Sequence, residues 1–559
     1  MGRRAISDAL SELAFCVELL GDGALGGDRL DAKSVNALAW SIRSLQVPEG
    51  SDLRAALVRL PDLTPRVAAV VDDVLAERAP PFLTELKTQL PPGLLLMRRL
   101  KGLGPKKIHK LWKDLGIESL GELEYACKEN RLVTLDGFGD KTQAAILAQL
   151  HEVQTEAGLF RRDQVEFVVS AIVETLQAAG HRALLAGDHR RGCELVRDIV
   201  VVTTGPAPAD APPFVRFVGS VPVEVWGAHV VIGTGSAEHV AALEARAQAR
   251  LGRGLAAVVA DDEAGVYAAL GAVYVDAEAR EGGVVADVGK ARPRLVTRAD
   301  LRGALHNHTT ASDGSGTVAE MMQAARAVGL VWLGITDHSV TAAYAHGLDA
   351  PRLRAQHDEI HAATAAAGGQ FVMFSGIETD ILKDGALDYA DDVLFGLDVV
   401  VASMHQRYGQ KGAPLTERLV RAALHPAVDV VGHPTGRLLL SRAAADFDVA
   451  ALLDACAASG TAVELNASPA RLDLSEAHLR LAKERGVLVS IAADAHAPEE
   501  LAYLEHGVAL ARRAGLTADD VLNSRSAAEV RAFVQQRRAK ALAQQPQAQP
   551  APPQAGGAP

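Results

Sequence analysis

Cysteine is scarce in this chain: four in 559 residues, Cys16, Cys127, Cys193 and Cys456, scattered without metal-binding spacing. That excludes a zinc–thiolate module and a disulfide scaffold, and it fits a reducing, cytoplasmic compartment. Aromatic residues make up only 4%, which argues against a protein that binds single strands by stacking bases on exposed rings. Long apolar runs are missing. No stretch approaches the roughly 20 residues that span a bilayer, so no membrane partner is expected. Acidic and polar residues interrupt the opening MGRRAISDALSELAF, which is not read as a secretory signal. An excess of basic charge is lacking too, since 57 Lys and Arg against 69 Asp and Glu give a net charge of −12. A protein that coats nucleic acid over its whole surface is excluded. A local basic patch is not, because screening confines such fields to about 8–10 Å.

What is present is a 48% hydrophobic composition over a length that allows several domains, each with its own core. Apolar residues three and four apart make residues 1–155 helical. Between 160 and 295 the texture is mixed: VEFVVSAIVETLQAAG reads as a helix, and RALLAGD, RDIVVVTT, FVRFVGS and VEVWGAHVVIG read as short strands. From 300 to 535 apolar strands alternate with Ala-rich helices, a parallel α/β pattern. The Gln/Pro/Ala/Gly-rich stretch 536–559 cannot bury a core and is expected to be disordered. The fold class is therefore multidomain, α followed by α/β, and nothing in it requires more than a monomer.

Two Gly-x-Gly turns mark the helical part. MRRLKGLGPKKIHKLWK carries Gly102 and Gly104 ahead of Lys106 and Lys107, and LVTLDGFGDKTQAAIL carries Gly137 and Gly139 ahead of Lys141. Glycines let a turn approach a phosphate, and the helix that follows offers unpaired N–H groups. The lysines add charge without reading sequence. Seven Lys or Arg and no acid lie between Arg98 and Lys113, which makes a basic patch. The pair resembles helix-hairpin-helix motifs, and the resemblance implies contact with the DNA backbone. In LPDLTPRVAAVV, Asp62 and Thr64 stand where glycines would serve and no lysine is present. A Schiff-base lyase role therefore has no support there.

The mixed segment contains GDHRRGCELVRDIVVV, Gly187–Val202. Two-metal phosphoryl transfer needs clustered carboxylates. Residues two apart on a strand share a face, so Asp198 calls for a partner at position 200, which is Val. A third carboxylate would come from a neighbouring strand, where VEVWGAHVV offers Trp226, with Glu224 two residues earlier. Asp188 puts negative charge in a turn that would face a triphosphate. Asp198 is thus read as a residual carboxylate without function.

In the last segment, apolar strands end in metal-binding side chains. RGALHNH gives His306 and His308, and Asp313 follows in SDG. VWLGITDH gives His338, FVMFSGIE Glu378, VVVASMH His405, VDVVGH His433 and VLVSIAADAH Asp494 and His496. TAVELNAS ends at Asn466 with no obvious ligand. Parallel strands feeding helices close into a barrel whose chemistry gathers at the carboxyl ends, so these nine are expected to converge. His346, His357, His361, His425 and His506 fall elsewhere and are read as surface or packing residues. A set of nitrogen and oxygen donors without thiolate suits Mn²⁺, Zn²⁺ or Fe²⁺. Such ions would activate water near neutral pH and neutralise phosphate oxygens. Arg437, in GHPTGR, is a candidate contact to a substrate phosphate.

Together the Gly-x-Gly hairpins, the GxxRRG turn and the HxH, SDG, TDH, GIE, SMH, GHP and DAH motifs resemble the bacterial family X DNA polymerases (PolX) up to about residue 535. Their C-terminal part is a PHP (polymerase and histidinol phosphatase) domain. The resemblance implies a helix-hairpin-helix domain, a small nucleotidyltransferase-like palm and a (β/α)7 barrel holding up to three ions. Gly187, Arg190, Arg191, Gly192, Glu194 and Asp198 are kept. Asp188, Arg197, Val200 and Trp226 depart from the Gly-Ser, Asp-x-Asp and third-Asp pattern of the family, so polymerase activity is expected to be lost. Ala304 replaces an Asp common in the family, which would weaken the orientation of His306.

The reading that follows is a metal-dependent phosphoesterase on DNA, a 3′-5′ exonuclease or a processor of 3′ ends or abasic sites in repair. Its partners are gapped, nicked or 3′-ended DNA, and its location is the cytoplasm, on the nucleoid when bound. The alternatives are a small-molecule phosphomonoester phosphatase and a PolX that retains gap filling. A non-catalytic scaffold is disfavoured, because nine buried polar ligands without metal are costly.

Overall fold

The computed structural model describes residues 2–21, 30–45, 54, 57, 63–76, 78–98, 100–135, 137–155, 159–209, 211–282, 293–406 and 408–544. The chain divides into two compact units, one of residues 1–153 with 440–442, the other of 154–439 with 443–559. No helix among the described residues is long and apolar enough to cross a membrane.

The first unit is helical. Its helices Gly2–Leu20, Ala32–Ser44 and Pro65–Leu75 bury Ile6, Leu10, Leu13, Leu38, Ile42, Val67 and Val70 in one core. Each such side chain contributes about 1.5–3 kcal/mol on burial. Thr64 caps Pro65–Leu75 by accepting the Val67 N–H at 3.4 Å, the work of an N-cap rather than of a phosphate-binding turn. Asp62 lies outside the described residues.

The second unit starts with the helix Arg162–Ala178 and three strands, β1 (Ala183–Ala186), β2 (Ile199–Thr203) and β3 (Val215–Val218). β1 pairs antiparallel and β3 parallel with β2. The fourth expected strand is not one. VEVWGAHVVIG forms a 3₁₀ turn at Val223–Val225 and the helix Trp226–Thr234. A β-branched apolar run of this length serves equally as a buried helix. Its glycines allow the close fit: a Cβ at Gly227 would stand 2.0 Å from the Asp262 carbonyl oxygen, and one at Gly233 2.7 Å from Val202.

Seven further strands follow: β4 (Gly303–Ala304), β5 (Trp332–Ile335), β6 (Val372–Asp380), β7 (Val399–Ser403), β8 (Val430–Gly432), β9 (Ala462–Asn466) and β10 (Val489–Ala492). All pair in parallel and in chain order. A bridge between Asn307 and Ala495 brings the two edges together, with His308 N–H donating to the Ala495 carbonyl at 2.9 Å. The strands are buried on both faces, as helix-covered parallel strands must be. The final helix, Ala527–Gln544, continues past 536, where disorder is expected from composition. Arg537 and Arg538 pair with the fully buried Asp429 at 3.1 and 2.6 Å, which ties its end to the barrel. The remainder of the expected tail, 545–559, lies outside the described residues.

Candidate metal centre

Each barrel strand delivers its polar residues at the carboxyl end. His306 and His308 follow β4, His338 follows β5, Glu378 lies on β6, His405 follows β7, His433 follows β8, and Asp494 and His496 follow β10. The structure brings all nine expected residues into four overlapping groups, in each of which the donor atoms lie within 4.8 Å of one another. The groups are His308, Asp313, His338 and His496; His306, His433 and Asp494; His306, His308 and Glu378; and His338, Glu378 and His405. Glu378 is the hub. Its carboxylate lies 2.8 Å from His338, 2.9 Å from His433, 3.2 Å from His405 and 3.3 Å from His306. Asp494 Oδ1 lies 3.1 Å from His308 Nε2. His433 (φ 21°) and Asp494 (φ 52°) hold left-handed backbone, a strain that persists where surrounding structure imposes it and that clusters at functional sites.

Burial alone would neutralise these groups, but opposite charges prevail for most of them. Burial lowers His306, yet Glu464, Glu378 and Asp494 raise it well above the ordinary imidazole range. His338 and His405 behave alike, with Asp313 and Glu378 facing the first and Glu378 and Asp380 the second. Burial would raise Glu378, but His405, His306 and His338 hold it well below the carboxylate range. His433 goes the other way, pushed down to about 4 by burial and the Arg471 guanidinium.

The donor chemistry fits divalent cations. His306 Nε2, His308 Nδ1 and Asp313 Oδ2 are buried with no hydrogen-bond partner, a costly state for a site without an ion. Several outward-facing nitrogens are pinned, as they are in metal-binding histidines. His306 Nδ1 meets Glu464 Oε2 at 2.7 Å, His405 Nδ1 meets Asp380 Oδ1 at 2.8 Å, and His496 Nδ1 meets the Asp494 carbonyl at 2.9 Å. Glu464 and Asp380 escaped the sequence reading, while Asn466, read there as offering no ligand, donates to Asp494 Oδ2 at 2.9 Å. A two-residue period could have found them, since Asp380 shares a face with Glu378, and Glu464 with Asn466. Glu464 on β9 holds the ring of His306, whose orientation the Ala304 departure is expected to weaken.

Arg437, expected to meet a substrate phosphate, is engaged by groups of the protein itself. Its Nε donates to the Arg471 carbonyl at 3.0 Å, one terminal nitrogen to the Leu472 carbonyl, and the other to Glu194 Oε2 at 2.8 Å. The guanidinium beside the cluster is that of Arg471, buried and 3.7 Å from Asp494 Oδ2.

In the palm, Asp198 stands just before β2, and its carboxylate meets Arg216 of β3 at 2.9 Å. Val200 packs with Ala186, Val202, Trp226 and Val230. Asp188 accepts the backbone N–H groups of Arg197 and Asp198, both at 2.9 Å, and pairs with Arg191. Arg190 is held by Glu263 at 2.5 Å.

In the helical unit the two Gly-x-Gly turns are alike. Gly102 and Gly137 have φ of 89° and 91°, open to glycine at little cost. The residues between the glycines, Leu103 and Phe138, are buried, and helices begin at Pro105 and Asp140. No atom lies within 4 Å of a Cβ built at Gly102, Gly104 or Gly139, so three of the four glycines face open space. Lys106 and Lys141 are exposed, and Lys107 Nζ sits 5.2 Å from the Phe138 ring centre.

The barrel and its cluster define the class: the PHP domain family matches residues 304–468. The DNA polymerase/3′-5′ exonuclease PolX of Bacillus subtilis is 32% identical over 574 aligned residues, covering 96% of this chain and 99% of that protein. The chain belongs to the PolX family. Shorter relatives match in part. A probable phosphatase of Thermoanaerobacter sp. is 27% identical over 39% of this chain and 89% of its own length. One of Shewanella sp. is 27% identical over 43% and 93%. Among solved structures, a histidinol phosphate phosphatase of Lactococcus lactis, complexed with zinc, L-histidinol and phosphate, aligns at TM-score 0.30 and 17% identity, over 38% of this chain and 94% of that one.

Proposed function

We propose that this chain is a metal-dependent phosphoesterase that trims or repairs DNA 3′ ends, a 3′-5′ exonuclease whose chemistry lies in the barrel. The observation that carries the reading is the convergence of nine donors, seven of them buried and Asp313 and His405 partly so, in overlapping groups. His306, His308, Asp313, His338, Glu378, His405, His433, Asp494 and His496 would hold the ions, with Mn²⁺ or Zn²⁺ suited to this donor set and Fe²⁺ a further fit. When bound, such ions supply the acidity that activates water near neutral pH and the charge that offsets phosphate oxygens. The protein groups do the holding. Glu464 and Asp380 fix the rings of His306 and His405, and Arg471 sets a cation beside Asp494. Gly102, Gly104, Lys106, Lys107, Gly137, Gly139 and Lys141 grip the DNA backbone. The 300–535 segment works as the phosphoesterase, 1–155 as the DNA grip and 160–295 as a palm without synthesis.

The test uses end-labelled gapped DNA and Mn²⁺-loaded protein, with and without dNTPs. Shortening that His306→Ala abolishes is expected, and loaded protein inert on every DNA end sinks the reading. A second reading, retained gap filling, is favoured by the match along 99% of a protein named as a polymerase. Extension that needs dNTPs and vanishes in Asp198→Ala would establish it.

A further inference from the structure

The palm turn keeps Glu194 although its carboxylate pair has gone. Glu194 faces the barrel. Oε2 accepts from Arg437 at 2.8 Å, and Oε1 accepts the backbone N–H of Glu476 at 2.8 Å, in the first turn of the helix Glu476–Glu484. Arg437 is only 13% exposed. With one nitrogen on Glu194, its other two grip the carbonyls of consecutive residues, Arg471 and Leu472. Those residues belong to a tight loop that turns back on the end of β9. Arg471 and Leu472 N–H groups both donate to the Ser468 carbonyl at 2.8 and 2.9 Å, and Asp473 N–H donates to the Asn466 carbonyl at 3.2 Å. The same loop carries two contacts to one member of the cluster: Arg471 Nε lies 3.7 Å from Asp494 Oδ2, and Asn466 Nδ2 donates to that oxygen at 2.9 Å.

We propose that Glu194 is a positioning residue for the barrel's metal centre, holding Arg437 so that the 466–473 loop keeps Asp494 aimed at His306 and His308. It gives the palm a function independent of nucleotide transfer. The inference rests on the metal-centre reading. A carboxylate with both oxygens occupied is hard to replace: Glu194→Gln leaves one acceptor where two donors point, and a largely buried guanidinium short of a partner.

The experiment titrates Mn²⁺ alone into the full chain by calorimetry. Glu194→Gln is expected to bind it about 10–100-fold more weakly, the range found when partners of metal ligands are removed. Its kcat on 3′-ended DNA falls while KM holds. Arg437→Lys, which keeps the charge and loses the fork, shows the same pattern. The control is Glu281→Gln, which strips a partner from Arg191 and Arg513 at the same palm–barrel junction and leaves the loop alone; its Mn²⁺ affinity stays at the wild-type value. Wild-type Mn²⁺ affinity in Glu194→Gln overturns the inference alone, as does an equal loss in Glu281→Gln. A wild-type chain that takes up no Mn²⁺ overturns the metal-centre reading with it.

Discussion

Arg216 pairs with Val200 in the β2–β3 register, and its guanidinium closes on Asp198 at 2.9 Å. A cation on the neighbouring strand therefore stands against Asp198. The pair is half exposed, so it adds little stability. Its importance is positional, because Asp198 already has a positive partner. Behind it Val200 joins an apolar cluster with Trp226. No templated extension of gapped DNA is expected with dNTPs and Mn²⁺, read on end-labelled primer. Arg216→Ala is expected to leave that result unchanged, since Val200 still supplies no ligand. Extension by either protein would refute this account of the palm.

Glu464 is the most informative probe of the cluster beyond its nine donors. It is fully buried and holds His306 Nδ1 at 2.7 Å. Glu464→Gln keeps the volume and removes the charge that raises His306. Metal affinity is expected to fall about 10–100-fold, measured by competition with a chelating dye. An unchanged affinity would show that His306 needs no orienting partner.

The nine donors were legible because six apolar strands each end in one or two of them, with Asp313 in the loop after the first, a position that one strand's sequence reveals. Glu464 and Asp380 were not, since their value lies in a neighbour on another strand. Arg437 misled for the same reason: its partners, Glu194 and two carbonyls, come from 243, 34 and 35 residues away. VEVWGAHVVIG misled because an apolar β-branched run does not distinguish a buried helix from a strand. The end of the helix Ala527–Gln544 depends on Asp429, about a hundred residues upstream, where composition has no reach.

Backbone grip separates a DNA enzyme from a small-molecule phosphatase. Lys106, Lys107 and Lys141 flank the open glycine turns, and each phosphate contact contributes about 0.9 to the slope of log K against log salt on duplex DNA. Lys106→Gln, Lys107→Gln and Lys141→Gln together are expected to flatten that slope by about 2–3. They raise KM for DNA and leave hydrolysis of p-nitrophenyl phosphate alone. A slope that does not move would favour the phosphatase reading.

Acid should loosen the palm–barrel junction through His506. The Arg162 Nε–H donates to His506 Nδ1 at 3.3 Å, which requires a neutral ring. Glu166 Oε2 stands 3.7 Å away, and Glu166 Oε1 holds His189 at 2.8 Å. Burial and Arg162 push His506 down from 6.5 to about 4, against the pull of Glu166 and Asp163. Between those values the unfolded chain binds the extra proton, so stability is full above the unfolded value and drains as pH falls towards 4. At pH 5 the loss from His506 is about 2 kcal/mol. His189, lowered by burial and Arg162, adds in the same direction. His506→Gln offers Arg162 an acceptor that does not titrate. Its melting temperature should therefore fall less steeply than wild type between pH 7.5 and 5, followed by calorimetry. Parallel slopes in the two proteins would remove His506 as the source.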